Sequence, residues 1–122
     1  MSLLGCRILI VEDDFIIAQD IAAVLEEAGA KVVGPFDSMI DALANLTDLN
    51  AIDGAILDIG LGSQQSYPLA EALQTTGIPF LFLTGVEKDD LPERFARTPH
   101  VGKPFSGERL IRSLMDSGMR RR

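Results

Sequence analysis

Short runs of branched aliphatic residues alternate with longer amphipathic stretches along this chain, and that alternation leaves few folds open. Cys6-Arg-Ile-Leu-Ile-Val11 is the first run, dominated by residues that favour strands. Phe15 to Ala28 then carries Ile17, Ile21, Val24, Leu25 and Ala28 at helical spacing, with Gly29 as the stop. Lys31-Val-Val-Gly-Pro35 predicts a second strand ended by Pro35. Ser38 with Asp41 predicts a cap for a helix reaching about Leu46.

The third run is Gly54-Ala-Ile-Leu-Asp58, whose Ala55, Ile56 and Leu57 have the unbroken apolar character of a strand buried on both faces. Gly60 to Ser66 predicts a polar loop in which Gly60 and Gly62 let the backbone turn away. A third helix follows from about Tyr67 to Thr75, with Pro68 tolerated in its first turn. Ile78-Pro-Phe-Leu-Phe-Leu83 is the fourth strand and ends in Thr84-Gly85. Val86 to Pro99 is charged and holds two prolines, so only a brief helix is expected there. His100-Val-Gly102 is the fifth strand. Ser106 then caps a last helix carrying Leu110, Ile111, Leu114 and Met115. Five strands alternating with helices predict an α/β fold, a doubly wound parallel sheet covered on both faces.

With 122 residues, one domain over 4–118 and no separate output domain are expected. No apolar run approaches the ~20 residues of a membrane span, and no basic leader precedes an apolar stretch, so a cytoplasmic protein with no membrane partner is expected. The lone Cys6 excludes an internal disulfide and suits a small buried hydrophobe. A net charge of −7 argues against nucleic acid as a partner, and Arg120-Arg-Arg122 reads as a solvated tail.

The chemistry lies at the carboxyl ends of the strands, where open α/β sheets bind their ligands. Glu12 and Asp13 follow the first strand, Asp58 ends the third, Thr84 the fourth, and Lys103 follows the fifth. Taken singly, each has a plain structural reading. Glu12 and Asp13 suit a helix N-terminus, Asp58 and Thr84 suit turns, and Lys103 suits a solvated surface. Five such residues at the ends of four strands make a pattern. Crowded carboxylates need a cation or a proton among them, and Mg²⁺ takes one or two carboxylates and keeps other positions for phosphate oxygens. A carboxylate can attack phosphorus, and a lysine and a hydroxyl then stabilise the transferred charge.

These motifs together resemble the receiver domain of two-component response regulators. The resemblance rests on Ile8-Leu-Ile-Val-Glu-Asp13, Leu57-Asp58, Leu83-Thr-Gly85 and Lys103-Pro-Phe105, and covers essentially the whole chain. It implies the strand order 2-1-3-4-5, and Asp58 as the residue phosphorylated by a sensor histidine kinase. It further implies Mg²⁺ held by Asp13, Asp58 and the Gly60 carbonyl, with Glu12 acting through water. Thr84 and Lys103 would hold the phosphoryl group, and the bond before Pro104 would be cis. Ile78-Pro-Phe-Leu-Phe-Leu-Thr-Gly85, with Ser66-Tyr-Pro68, looks like a subfamily of stand-alone alphaproteobacterial receivers sharing Pro-Phe-x-Phe-x-Thr-Gly.

Two departures bear on output. The family's aromatic switch position, three residues before the lysine, is His100, and the short span from Thr84 to Lys103 implies a shortened fourth helix. The expected switch residues are therefore Thr84 and His100. Val86 to Pro99 is expected to be mobile until phosphorylation packs Leu91 and Phe95 down for an unknown downstream protein. The expected protein catalyses only its own phosphorylation and dephosphorylation, as a signalling module, a phosphate sink or a phosphorelay intermediate. A haloacid-dehalogenase-type phosphatase would want an acid two residues after its nucleophile, where this chain has Gly60. An unphosphorylated interaction module would not need the full set of acids, Thr84 and Lys103.

Overall fold

A computed structural model describes residues 3–46, 48–61, 64–85 and 91–119. Its sheet comprises β1 (Arg7–Val11), β2 (Lys31–Phe36), β3 (Gly54–Asp58), β4 (Phe80–Thr84) and β5 (His100–Gly102). All four pairings are parallel and the order is β2-β1-β3-β4-β5, as the alternating pattern and the resemblance together imply. The helices are α1 (Phe15–Glu27), α2 (Met39–Asn45), α3 (Tyr67–Thr76) and α4 (Gly107–Asp116).

Strand alternation sorts the core into two layers. Ile8, Ile10, Ile56, Leu81, Leu83 and Val101 pack beneath Ile21 and Leu25 of α1 and Leu110 and Leu114 of α4. Leu9, Val11, Ala55, Leu57, Phe80 and Phe82 face the other way, against Ala42 of α2 and Leu69 and Leu73 of α3. Both faces of the central strands are dry, which is why β3 and β4 carry no polar side chain before their last residues, Asp58 and Thr84. Cys6 is fully buried in the first layer.

Local chemistry sets the helix ends. The Asp14 carboxylate accepts from the Ile17 amide at 3.1 Å and opens α1, and Gly29 leaves it with φ +96°. Ser38 Oγ accepts from the Asp41 amide at 3.0 Å to open α2, and Ser106 Oγ accepts from Arg109 to open α4.

Three expectations need correction. Pro35 does not end β2: the strand runs on to Phe36, across a register slip between Leu9 and Val11 of β1. An edge strand at a bulge tolerates a residue without an N–H, and Gly34 supplies the φ of +99°. A Cβ on Gly34 would lie 2.8 Å from the Phe36 nitrogen, so only glycine fits there. Second, the loop after Asp58 contains a short antiparallel ribbon, Gly60–Leu61 against Gln64–Gln65; Gly62 lies outside the described residues.

Third, the segment after β4 is not loose over its second half. Val86 to Asp90 lie outside the described residues, but Glu93–Phe95 forms a single 3₁₀ turn in place of a fourth long helix. Phe95 is fully buried and Leu91 packs on the same layer. One aromatic ring with enough partners outweighs the prolines on either side.

Candidate functional site

β1 and β3 deliver the acids side by side, because Val11 pairs with Leu57 and both strands end there. The three acids after β1 have different surroundings. Glu12 turns inward and is 2% exposed, Asp13 is exposed, and Asp14 caps α1. Glu12 Oε2 accepts from the Asp14 amide at 3.3 Å. Asp58 is 6% exposed, and its Oδ1 accepts from the Gly60 amide at 3.3 Å. Glu12, Asp13 and Asp58 each offer an oxygen within 4.8 Å of the others.

Lys103 reaches this cluster from beyond β5. Its Nζ lies 2.8 Å from Glu12 Oε1 and 3.2 Å from Asp58 Oδ2. The contact with Oε1 is an ion pair outside hydrogen-bond angles, and Oε1 has no hydrogen-bond partner although it is buried. The Lys103 amide donates to the Thr84 carbonyl at 2.9 Å, which ties the lysine to the end of β4. The Lys103–Pro104 peptide is cis, as the resemblance implies. Thr84 is 3% exposed. Among the described residues, none comes within 4 Å of an ideal Cβ on neighbouring Gly85. His100 stands apart from the cluster: it opens β5, pairs with Phe82 and is partly exposed.

The electrostatics follow from two buried carboxylates, Glu12 and Asp58, sharing one ammonium. Burial, then the hydrogen bond and charge of Glu12, push Asp58 up from 3.8 to about 7 against the pull of Lys103. Burial alone would lower Lys103, but the close contact with Glu12 and the charges of Asp58 and Glu12 outweigh it and raise the lysine. An all-oxygen donor set with excess negative charge suits a hard divalent cation. Glu12, Asp13 and Asp58 are the residues that could hold one.

A family model for the response regulator receiver domain matches residues 8–115. This chain belongs to that family. The solution structure of SdrG from Sphingomonas melonis Fr1 shares 39% identity at a TM-score of 0.77, covering 94% of this receiver and 97% of that chain. A BeF3-activated conformation of SdrG shares 41% identity at a TM-score of 0.74, over the same fractions of the two chains. The transcriptional regulatory protein PdtaR of Mycobacterium tuberculosis is 30% identical over 88% of this receiver. The receiver spans about half, 54%, of PdtaR.

Reading the strand ends found the acids, Thr84 and Lys103, but left Tyr67 and Phe95 without joint significance. Their rings stack with centroids 5.5 Å apart, and both meet Phe82 edge-on. The local signal for this was Tyr67, Glu71 and Gln74, at the i, i+4, i+7 spacing of one helix face.

Proposed function

We propose that this receiver accepts a phosphoryl group on Asp58 from a phosphohistidine of a sensor histidine kinase, with Mg²⁺ held by Glu12, Asp13 and Asp58 and by the Gly60 carbonyl. The gathering of three carboxylates within 4.8 Å of one another at the carboxyl end of the sheet, two of them paired with Lys103, carries this reading. An Asp58 oxygen forms the new bond to phosphorus while the bond from phosphorus to the donor imidazole nitrogen breaks, and that nitrogen keeps the electron pair. Bound among these oxygens, Mg²⁺ supplies positive charge that lets an anionic nucleophile and an anionic phosphoryl group approach. Lys103, already against Asp58, balances the charge that arrives, and the Thr84 hydroxyl donates to a phosphoryl oxygen. Gly60 offers no acid or base for action on other substrates, so turnover is confined to the receiver's own phosphoryl group. A downstream protein then reads the segment after β4. No described helix is long and apolar enough to cross a membrane.

Incubation with acetyl phosphate and Mg²⁺, followed by intact-mass spectrometry, tests the reading. One added phosphoryl group is expected on the wild type, and none on Asp58→Asn or without Mg²⁺. Equal labelling of Asp58→Asn would overturn it.

A further inference from the structure

The short turn after β4 is docked on one face of α3 by three kinds of contact. Tyr67 stacks on Phe95 with rings 27° from parallel. Four residues on, Glu71 Oε1 pairs with Arg94 Nε at 3.2 Å. Three further on, Gln74 Nε2 donates to the Arg94 carbonyl at 3.2 Å. Arg94 also lies over the Phe95 ring, 4.8 Å from its centroid. Among these groups Phe95 alone is fully buried, and the ion pair is half exposed and weak. The ring stack therefore holds the turn in place.

Tyr67 also sits one residue from the acceptor loop. The Asp58 carboxylate accepts from the Gly60 amide, and the Ile59 carbonyl between them accepts from the Ser66 amide at 3.1 Å. Ser66 leads directly into Tyr67 at the first position of α3. On the other side Phe82, two residues before Thr84, touches both Tyr67 and Phe95. Each end of the phosphoryl site thus reaches the same pair of rings by a short covalent and hydrogen-bonded path. Coupling of this kind needs packed, contiguous groups with alternative arrangements.

We propose that Tyr67 is the positioning residue that passes the state of Asp58 to the turn at Glu93–Phe95. The proposal rests on the phospho-acceptor reading above. It assigns to an α3 tyrosine the task that the resemblance would give to an aromatic residue at position 100, where this chain has a partly exposed histidine. The full chain is titrated with beryllofluoride and Mg²⁺, and amide shifts are followed in two places by NMR. Thr84 and Gly85 report the phosphoryl site, and Phe95 to Thr98 report the turn. Wild type is expected to shift at both. Tyr67→Leu, which keeps apolar bulk but removes the ring, is expected to shift at Thr84 and Gly85 and to lose the response at Phe95 to Thr98. Tyr67→Phe is expected to retain both. A Tyr67→Leu protein that keeps the response at the turn overturns the proposal, and so does a wild type that shifts only at Thr84 and Gly85. No shift at either place in wild type overturns the phospho-acceptor reading and the proposal with it. Should Tyr67→Leu fail to fold, Phe95→Leu breaks the same stack from the other side, and retention of the response at Ala96 to Thr98 overturns the proposal equally.

Discussion

A single side chain, Asp58, gives the candidate site a pH dependence near neutrality. Burial and Glu12 hold the Asp58 proton to about 7, whereas an unfolded chain releases it near 3.8. The folded form therefore binds the extra proton across that interval, and stability from this group falls as pH rises from about 4 to about 7 in the metal-free protein. Asp58→Asn removes the crowded charge, so it is expected to stabilise the metal-free protein at about pH 8, by on the order of 1 kcal/mol. Thermal melts of both proteins in chelator check this. A cation must displace the same proton. Mg²⁺ affinity is expected to rise through pH 7 and then level off, with about one proton released near pH 6 and little near pH 8. Calorimetry in two buffers of different ionisation enthalpy measures that release, and a pH-independent affinity would contradict the assignment of Asp58 as a ligand.

At the scale of elements, the 3₁₀ turn at Glu93–Phe95 is as well anchored as a helix despite its length. Phe95 packs against Tyr67, Phe80 and Phe82, and each aromatic pair adds about 0.5–1.5 kcal/mol beyond its buried area. Phe95→Ala is expected to cost about 3–5 kcal/mol in urea unfolding, as for a large ring removed from a core. Leu91→Ala, at a half-buried position, should cost less. This turn also marks where sequence reasoning stops. The five strands and four helices were legible because burial on two faces and helical stripes are local patterns, as were the caps at Ser38 and Ser106. The acids and Lys103 were legible because strand ends have a known place in this architecture. The anchoring of Phe95 depends on residues 28 positions away, across α3 and β4, and nothing in Val86 to Pro99 encodes it. The continuation of β2 through Pro35 escaped notice for a similar reason. Whether proline stops a strand depends on whether a neighbour needs its N–H, and that is decided by sheet order.

Across the whole molecule the candidate site sits at the carboxyl ends of the strands, while packing fills the middle. A ligand that binds only the folded form stabilises the entire domain. Mg²⁺ at about 100 times its dissociation constant is expected to add about 2.7 kcal/mol, which for this size raises Tm by roughly 10 °C. Asp58→Asn should abolish most of that increment, and a melt unaffected by Mg²⁺ would count against the three-carboxylate site. The sheet's margins have a separate consequence. One margin is β5, only three residues long. The other is β2, where Pro35 offers no donor and the bulge at Gly34 throws the outer hydrogen-bonding row out of step. A foreign strand seeking to extend the sheet finds no long, regular template on either side. The interruption in β2 thus removes the regular row of donors and acceptors on which self-propagating strand addition depends.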